Sequence, residues 1–310
     1  MVRIIDVGIF IFGKMAHFFL WLVGWPGIFA IGKLGGRTLY HIDGAKRRQT
    51  AEQLVRLYGD RFSAEQIRTI TRKSFENYYE RQAATFFFGS MDKQTVDRIM
   101  SVQGLENLDA ALSKGKGVIM LLSHFGFFLL PLPFLGYRGY KVNQITGRQI
   151  HANLLAERFW TWRKNEADRL PVGYLQVDSF LRPVFKALAG NEIVAIAFDG
   201  RDSQNWVVVD LLGQKVRFSS GPFELARRTG AAIVPTFVVR EDTGKFKLVL
   251  EPEFRLAEEA DGQKTIEADT KKFTDLFARY LVKYPCHFGM ILRKLGAPQS
   301  TGDQNAFFVS

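Results

Sequence analysis

A chain of 310 residues with 47% apolar content is long enough for one large α/β domain or two small ones and can fill a complete core. Its single cysteine, Cys286, excludes an internal disulfide and a cysteine-based zinc cluster and fits a reducing compartment. The net charge of +11 asks for an anionic partner: nucleic acid, an acidic membrane surface or an acidic carrier protein. No zinc-ligand spacing, RNA-binding aromatic motif or recognition-helix signature is present, so no nucleic acid is expected.

Residues 1–35 are apolar and aromatic but interrupted by Lys14, His17, Gly24 and Pro26. No small-residue cleavage site follows a short apolar core, so the segment is a poor secretory signal. A spanning helix wants about 20 uninterrupted apolar residues, and a lysine at the bilayer centre costs about 3 kcal/mol. With Trp21 and Trp25 suited to an interface, the segment reads as an in-plane or partly inserted anchor in preference to a full span. A buried helix completing the core is the alternative.

Residues 43–61 read as a helix with Asp43 as N-cap, ended by Gly59 and Asp60. Ser63 and Gln66 fit a capping box opening a second helix that runs toward Phe88 and stops at Gly89. Lys46, Arg47, Arg48, Arg72 and Lys73 face either lipid headgroups or solvent. A strand and turn at 102–106 and a helix at 105–114 lead to GKGVIMLLSHFG, in which residues 118–122 form an apolar run of buried-strand length. The run ends in Ser123-His124-Phe125-Gly126. Chemistry in parallel α/β sheets gathers at the carboxyl ends of strands, so His124 is a candidate base. A hydrogen-bonded structural histidine is the other reading.

Residues 125–134 are expected to form a helix kinked at Pro131 and Pro133, followed by a strand at 140–145 and helices at 154–166 and 181–189. A second buried strand, 192–198, stops at Asp199-Gly200-Arg201. Asp199 either caps its own loop or shapes a site at the strand end. Residues 206–218 read as a hairpin about Gly213, then Ser219-Ser220-Gly221-Pro222 opens a helix ended by Gly230. The backbone N–H groups at that helix start suit an anion. A third buried strand at 231–235, a strand at 245–250 and an amphipathic helix at 265–281 follow. The polar tail from Pro298 is expected to fray.

The segment GKGVIMLLSHFG, the strand ending in Asp199 and LARRTGAAIVP together resemble the bacterial lipid A (lauroyl/myristoyl) acyltransferases, within the lysophospholipid acyltransferase group. The resemblance implies a mixed, mostly parallel α/β sheet flanked by helices, with residues 1–35 associating with the membrane, 36–300 forming one acyltransferase-like domain and 301–310 a polar tail. It implies transfer of a fatty acyl chain from an acyl carrier protein or acyl-CoA thioester to a hydroxyl of a lipid or glycolipid. The place implied is the cytoplasmic face of the bacterial inner membrane, and no cofactor or metal is required. The positive charge leans toward an acidic carrier as partner. His124 would be the general base, and Arg148, at the end of the 140–145 strand, would hold a phosphate or donor anion. Arg148 or the backbone around Gly126 would supply the oxyanion donor. Arg201, Arg217 and Ser220 are the remaining candidates for substrate binding.

One departure matters most. The family carries His-x4-Asp/Glu, and here the acid position is Leu129. A carboxylate remote in sequence, Asp199 for instance, replaces it; or His124 acts without one, oriented at most by a backbone carbonyl; or the chain is a lipid-binding relative that has lost catalysis or uses other chemistry. The closing Tyr284-Pro285-Cys286-His287-Phe288-Gly289 also matches the family's Pro-x-Gln-Trp segment poorly.

Overall fold

A computed structural model gives the fold and describes residues 2–146, 153–176, 181–200, 205–241, 244–258, 262–296 and 307–309. In chain order the elements are α1 (Val2–Ile42), α2 (Gly44–Tyr58), α3 (Ala64–Phe86), α4 (Lys93–Ile99), β1 (Met100–Gln103), α5 (Leu105–Leu112), β2 (Val118–Leu122), α6 (Pro131–Gly136), β3 (Val142–Thr146) and α7 (Leu154–Ala167). Then come β4 (Gly173–Gln176), α8 (Arg182–Ala189), β5 (Ile193–Ala197), β6 (Trp206–Leu211), β7 (Gln214–Ser219), α9 (Gly221–Thr229), β8 (Ala232–Arg240), β9 (Phe246–Leu250), α10 (Gly262–Lys283) and α11 (Gly289–Gly296).

Seven strands form one sheet in the order β1-β9-β8-β2-β5-β3-β4, parallel throughout except for the β8–β9 pair. The α/β class and mixed sheet agree with the sequence reading. β2 is the middle strand, and all five of its residues are buried, as its unbroken apolar run requires. Alternate residues face two cores. Ile119 and Leu121 join Phe198, Phe237, Phe273 and Phe277 on one face; Val118, Met120 and Leu122 join Phe127, Phe134 and Phe246 on the other. From β2 the chain crosses to β3 on one side of the sheet, while β8, β9 and β1 lie on the other. The carboxyl end of β2 lies at this divide, the position where α/β sheets bind ligands.

The N-terminal segment is one long helix broken at Gly24, whose φ of 64° and ψ of 177° are not helical, two residues before Pro26. The part after the kink docks on α3. Gly32 and Gly36 let the helices approach so closely that a Cβ on either would fall within 2.6 Å of α3 backbone. The part before the kink leaves Phe10, Met15, Phe18, Trp21 and Leu22 more than half exposed. Residues Ile5–Ile42 are long and apolar enough to cross a bilayer by length and composition.

Asp43 and the Ser63–Gln66 capping box stand as read. The helix expected over 125–134 does not. Gly126 lies at φ +60° and only Pro131–Gly136 is helical, so 125–130 is a turn that projects from the end of β2. β4 was not anticipated, and β8 runs five residues past Pro235. The fraying expected of the tail fails for residues 307–309. Phe307 and Phe308 are buried, Phe308 bridges to Val216, and Phe307 O accepts the Arg217 N–H at 2.8 Å.

Candidate active site

β2 and β5 are hydrogen-bonded parallel neighbours with Leu122 paired to Ala197. Two residues further along each strand, the register therefore sets His124 beside Asp199. The Nδ1 atom of His124 lies 2.9 Å from Asp199 Oδ1. The backbone N–H of His124 donates to both oxygens of the same carboxylate, at 3.1 and 2.9 Å. A carboxylate accepts and cannot donate, so Nδ1 carries the proton and Nε2 keeps its lone pair. The Asp199 side chain is fully buried, whereas a third (34%) of the His124 side chain is exposed. The outcome is an oriented imidazole with its basic nitrogen turned away from its partner.

The electrostatics of the pair are a contest. Burial lowers the His124 pKa, and the charges of Arg81 and Lys294 lower it too. The charge and hydrogen bond of Asp199 raise it by more, and the net shift is upward from 6.5. The ring also packs edge-on to Phe128 at 4.8 Å.

The turn that follows is fastened on both sides of Gly126. Its N–H donates to the His287 carbonyl at 3.2 Å, and its carbonyl accepts from Arg81 Nη1 at 3.1 Å. This corrects one expectation: with its N–H spent on His287, Gly126 has no donor to offer an oxyanion. His287 itself is structural. Its ring stacks on Phe125 at 5.2 Å, its Nε2 accepts the Arg240 N–H at 2.9 Å, and burial beside Arg240 pulls its pKa to about 4, which keeps it neutral.

Ser220 also differs from its expected role. Its hydroxyl donates to Glu224 at 2.6 Å, and Asn205 Nδ2 donates to both oxygens of the same carboxylate at 3.2 Å. The start of α9 thus carries its own anion in Glu224, and Ser220 is buried. Arg217 lies on the separate β6–β7 ribbon, across from Val208. Arg148 and Arg201 lie outside the described residues.

Leu129 is half-buried and packs, as Trp25 does, against the apolar cluster that holds Phe127 and Phe134. Leu129→Glu is therefore expected to give no gain in rate and to cost about 2 kcal/mol, the usual penalty for pushing a polar group into an apolar site. Denaturant midpoints and initial rates check both halves, and a faster enzyme would show that the carboxylate can turn to His124.

Sequence reasoning missed Arg81, Phe128 and His287. Arg81 had a usable signal: it continues the buried series Ile67, Ile70, Ser74 of α3 at helical spacing, and an arginine on such a face needs a reason.

Comparison with known proteins decides the affiliation. The sequence model of the bacterial lipid A biosynthesis acyltransferases matches residues 2–296. The chain belongs to that family. Phosphatidylinositol mannoside acyltransferase of Mycolicibacterium smegmatis is 25% identical over 270 residues, covering 86% of this chain and 85% of its own. The protein of that name from Mycobacterium tuberculosis strain CDC 1551 / Oshkosh is 26% identical over 224 residues, covering 70% and 67%. This member of the lipid A acyltransferase family is accordingly an acyltransferase that acts in lipid biosynthesis.

Proposed function

We propose that this acyltransferase moves a fatty acyl chain from a carrier-protein or coenzyme A thioester to a hydroxyl of a membrane glycolipid, at the cytoplasmic face of the inner membrane. His124 is the general base and Asp199 its orienting partner. The observation that carries this reading is the His124–Asp199 hydrogen bond of 2.9 Å with Nε2 left free. Nε2 removes the proton of the acceptor hydroxyl as its oxygen attacks the thioester carbonyl. The tetrahedral intermediate collapses with cleavage of the C–S bond, and the imidazolium returns the proton to the departing thiolate. Asp199 stabilises the imidazolium formed in between, the task the aspartate performs in a hydrolase triad. No step calls for a metal. Arg148, two residues beyond β3, remains our candidate for the oxyanion or a donor phosphate.

Two features support the membrane setting: the apolar, half-exposed first part of α1, and the aromatic contacts by which it meets α7. Phe12 packs with Phe159 and Trp162, and α7 leaves Leu155 and Trp160 exposed beside it. The net charge of +11 supports both an anionic bilayer surface and an acidic carrier. The names of the two mycobacterial relatives point to a mannosylated phosphoinositide as one acceptor to try, beside a lipid A precursor.

The deciding experiment incubates the purified protein in mixed micelles with palmitoyl-CoA or an acyl carrier thioester and each acceptor. Mass spectrometry should show one added O-acyl group. No product from any of the four combinations overturns the reading. The pH dependence is a second expected result. A base must be unprotonated, so the rate rises with pH and levels off above the His124 pKa, which lies above 6.5. Stability follows the opposite sign. The raised pKa means the charged pair stabilises the fold fully below the unfolded value of about 6.5, and this contribution fades as pH rises through the folded value.

A further inference from the structure

Arg81 is a buried guanidinium on α3, 7% exposed. Among the described residues one of its five donors is used by a neighbour, Nη1 on the Gly126 carbonyl. It lies over the Phe128 ring at 5.3 Å and the Tyr78 ring at 5.2 Å. It lines a narrow cleft, open in part to solvent, walled by Asn77, Tyr78, Glu80, Arg240 and Ile291. Lys294 of α11 touches the cleft's wall at Tyr78: Nζ donates to the Tyr78 hydroxyl at 2.5 Å and lies 4.9 Å from that ring's centroid. Both cations are close enough to His124 to oppose its protonation.

The charge accounting around this cleft is uneven. Arg240 is matched by Glu80 at 2.8 Å. Among the described residues neither Arg81 nor Lys294 has a carboxylate within ion-pair distance. Asp199 attracts Arg81 through space, but its oxygens are taken by His124. Burying a cation without a bonded anion is costly. A fold that keeps Arg81 there, lining a cleft that reaches Gly126 two residues from the reacting imidazole, is arranged for an anion that arrives with substrate. Guanidinium forks suit phosphate oxygens.

We propose that the cleft between α3 and α11 is an anion subsite, in which Arg81 and Lys294 hold a phosphate of one substrate while its reacting end lies at His124. The assignment rests on the acyltransferase reading for the role of His124. Two sources carry that chemistry: the phosphates of the thioester donor and the phosphodiester of a phosphoglycolipid acceptor. The path from Arg81 through Phe128 to His124 is short, 5.3 Å and then 4.8 Å between groups in contact. That span matches an acceptor phosphodiester a few bonds from its sugar hydroxyls better than the far end of a pantetheine arm.

The test is a binding measurement, which stands apart from turnover. Titration calorimetry on the full-length protein uses coenzyme A for the donor phosphates, glycerophosphoinositol for the acceptor phosphodiester, and free inositol as a control. Lys294→Gln and Arg81→Lys are compared with the parent after thermal melts confirm folding; Lys294 is exposed, so its variant serves even where the Arg81 variant fails to fold. Removing one partly exposed charge-assisted contact should weaken glycerophosphoinositol about tenfold and make its affinity less sensitive to salt, with inositol unchanged. Weakening confined to coenzyme A upholds the subsite and names the donor as the source. Both phosphate probes binding the variants as tightly as the parent overturns it. Normal acyl transfer by Lys294→Gln with unchanged KM for both substrates also overturns it and leaves the catalytic assignment standing, whereas a parent that binds phosphate and transfers nothing sinks only the catalytic reading.

Discussion

Asp199→Asn is expected to lower the rate of acyl transfer by about 10³–10⁴, the loss seen when a base histidine keeps its place but loses its carboxylate partner. The reason is specific to the geometry. The Asp199 carboxylate accepts from the His124 backbone N–H and from Nδ1–H at once. An amide has one accepting oxygen. When that oxygen stays on the backbone N–H, its NH₂ faces Nδ1, which must then accept, and the ring proton moves to Nε2. The base is lost although every heavy atom stays where it was. The residual activity should also titrate differently. Asp199 is what lifts the His124 pKa against burial and two cations, so its removal shifts the acid limb of the rate profile to lower pH. His124→Ala should cost at least as much, and the double variant no more than His124→Ala alone, because the two groups act as one unit. Steady-state rates across pH and the double-variant cycle measure this. A loss of less than tenfold in Asp199→Asn, with no pH displacement, would mean that His124 works alone.

The legibility of this site in the sequence has a physical pattern. Residues 118–122 announce a buried strand because an unbroken apolar run has little else to do in a parallel sheet, and the His124 and Asp199 positions at strand ends follow from glycine and polar residues stopping two such runs. The adjacency of those ends is another matter. It depends on β5 pairing with β2 across 75 residues, and two identical-looking apolar runs carry no label of which neighbours which. The sequence therefore offers Asp199 as one possible partner of His124 among other readings. The turn at 125–130 reads as a helix in sequence for a related reason: five of its six residues are apolar and fit a helix by pattern, and the left-handed Gly126 that forbids it is fixed by tertiary bonds to His287 and Arg81. Only resemblance and charge point to Arg217 and Ser220. Their environments, a ribbon strand and the Glu224-capped start of α9, are set by packing that local sequence does not record.

The same turn carries the largest expected effect on stability. A Cβ at Gly126 would lie 2.0 Å from the Val238 carbonyl oxygen, and the residue sits at φ +60°. The oxygen belongs to the backbone of β8, inside the sheet, so it cannot rotate aside as a side chain would. Gly126→Ala must move the turn and break the bonds to His287 and Arg81. We expect a loss of about 3–5 kcal/mol, the range of severe single substitutions. Gly115 supplies the control. It has φ +71° and nothing within 4 Å of a Cβ, so Gly115→Ala bears the conformational cost alone, about 1–2 kcal/mol. The difference between the two variants in urea midpoints isolates the contact with Val238. Because His124 precedes Gly126 by two residues and leans on Phe128 of the same turn, Gly126→Ala should also lose most of its transfer activity at temperatures where it is still folded, while Gly115→Ala keeps its activity. Equal destabilisation of the two would show that the β8 backbone yields and that the turn is not held as tightly as its bonds indicate.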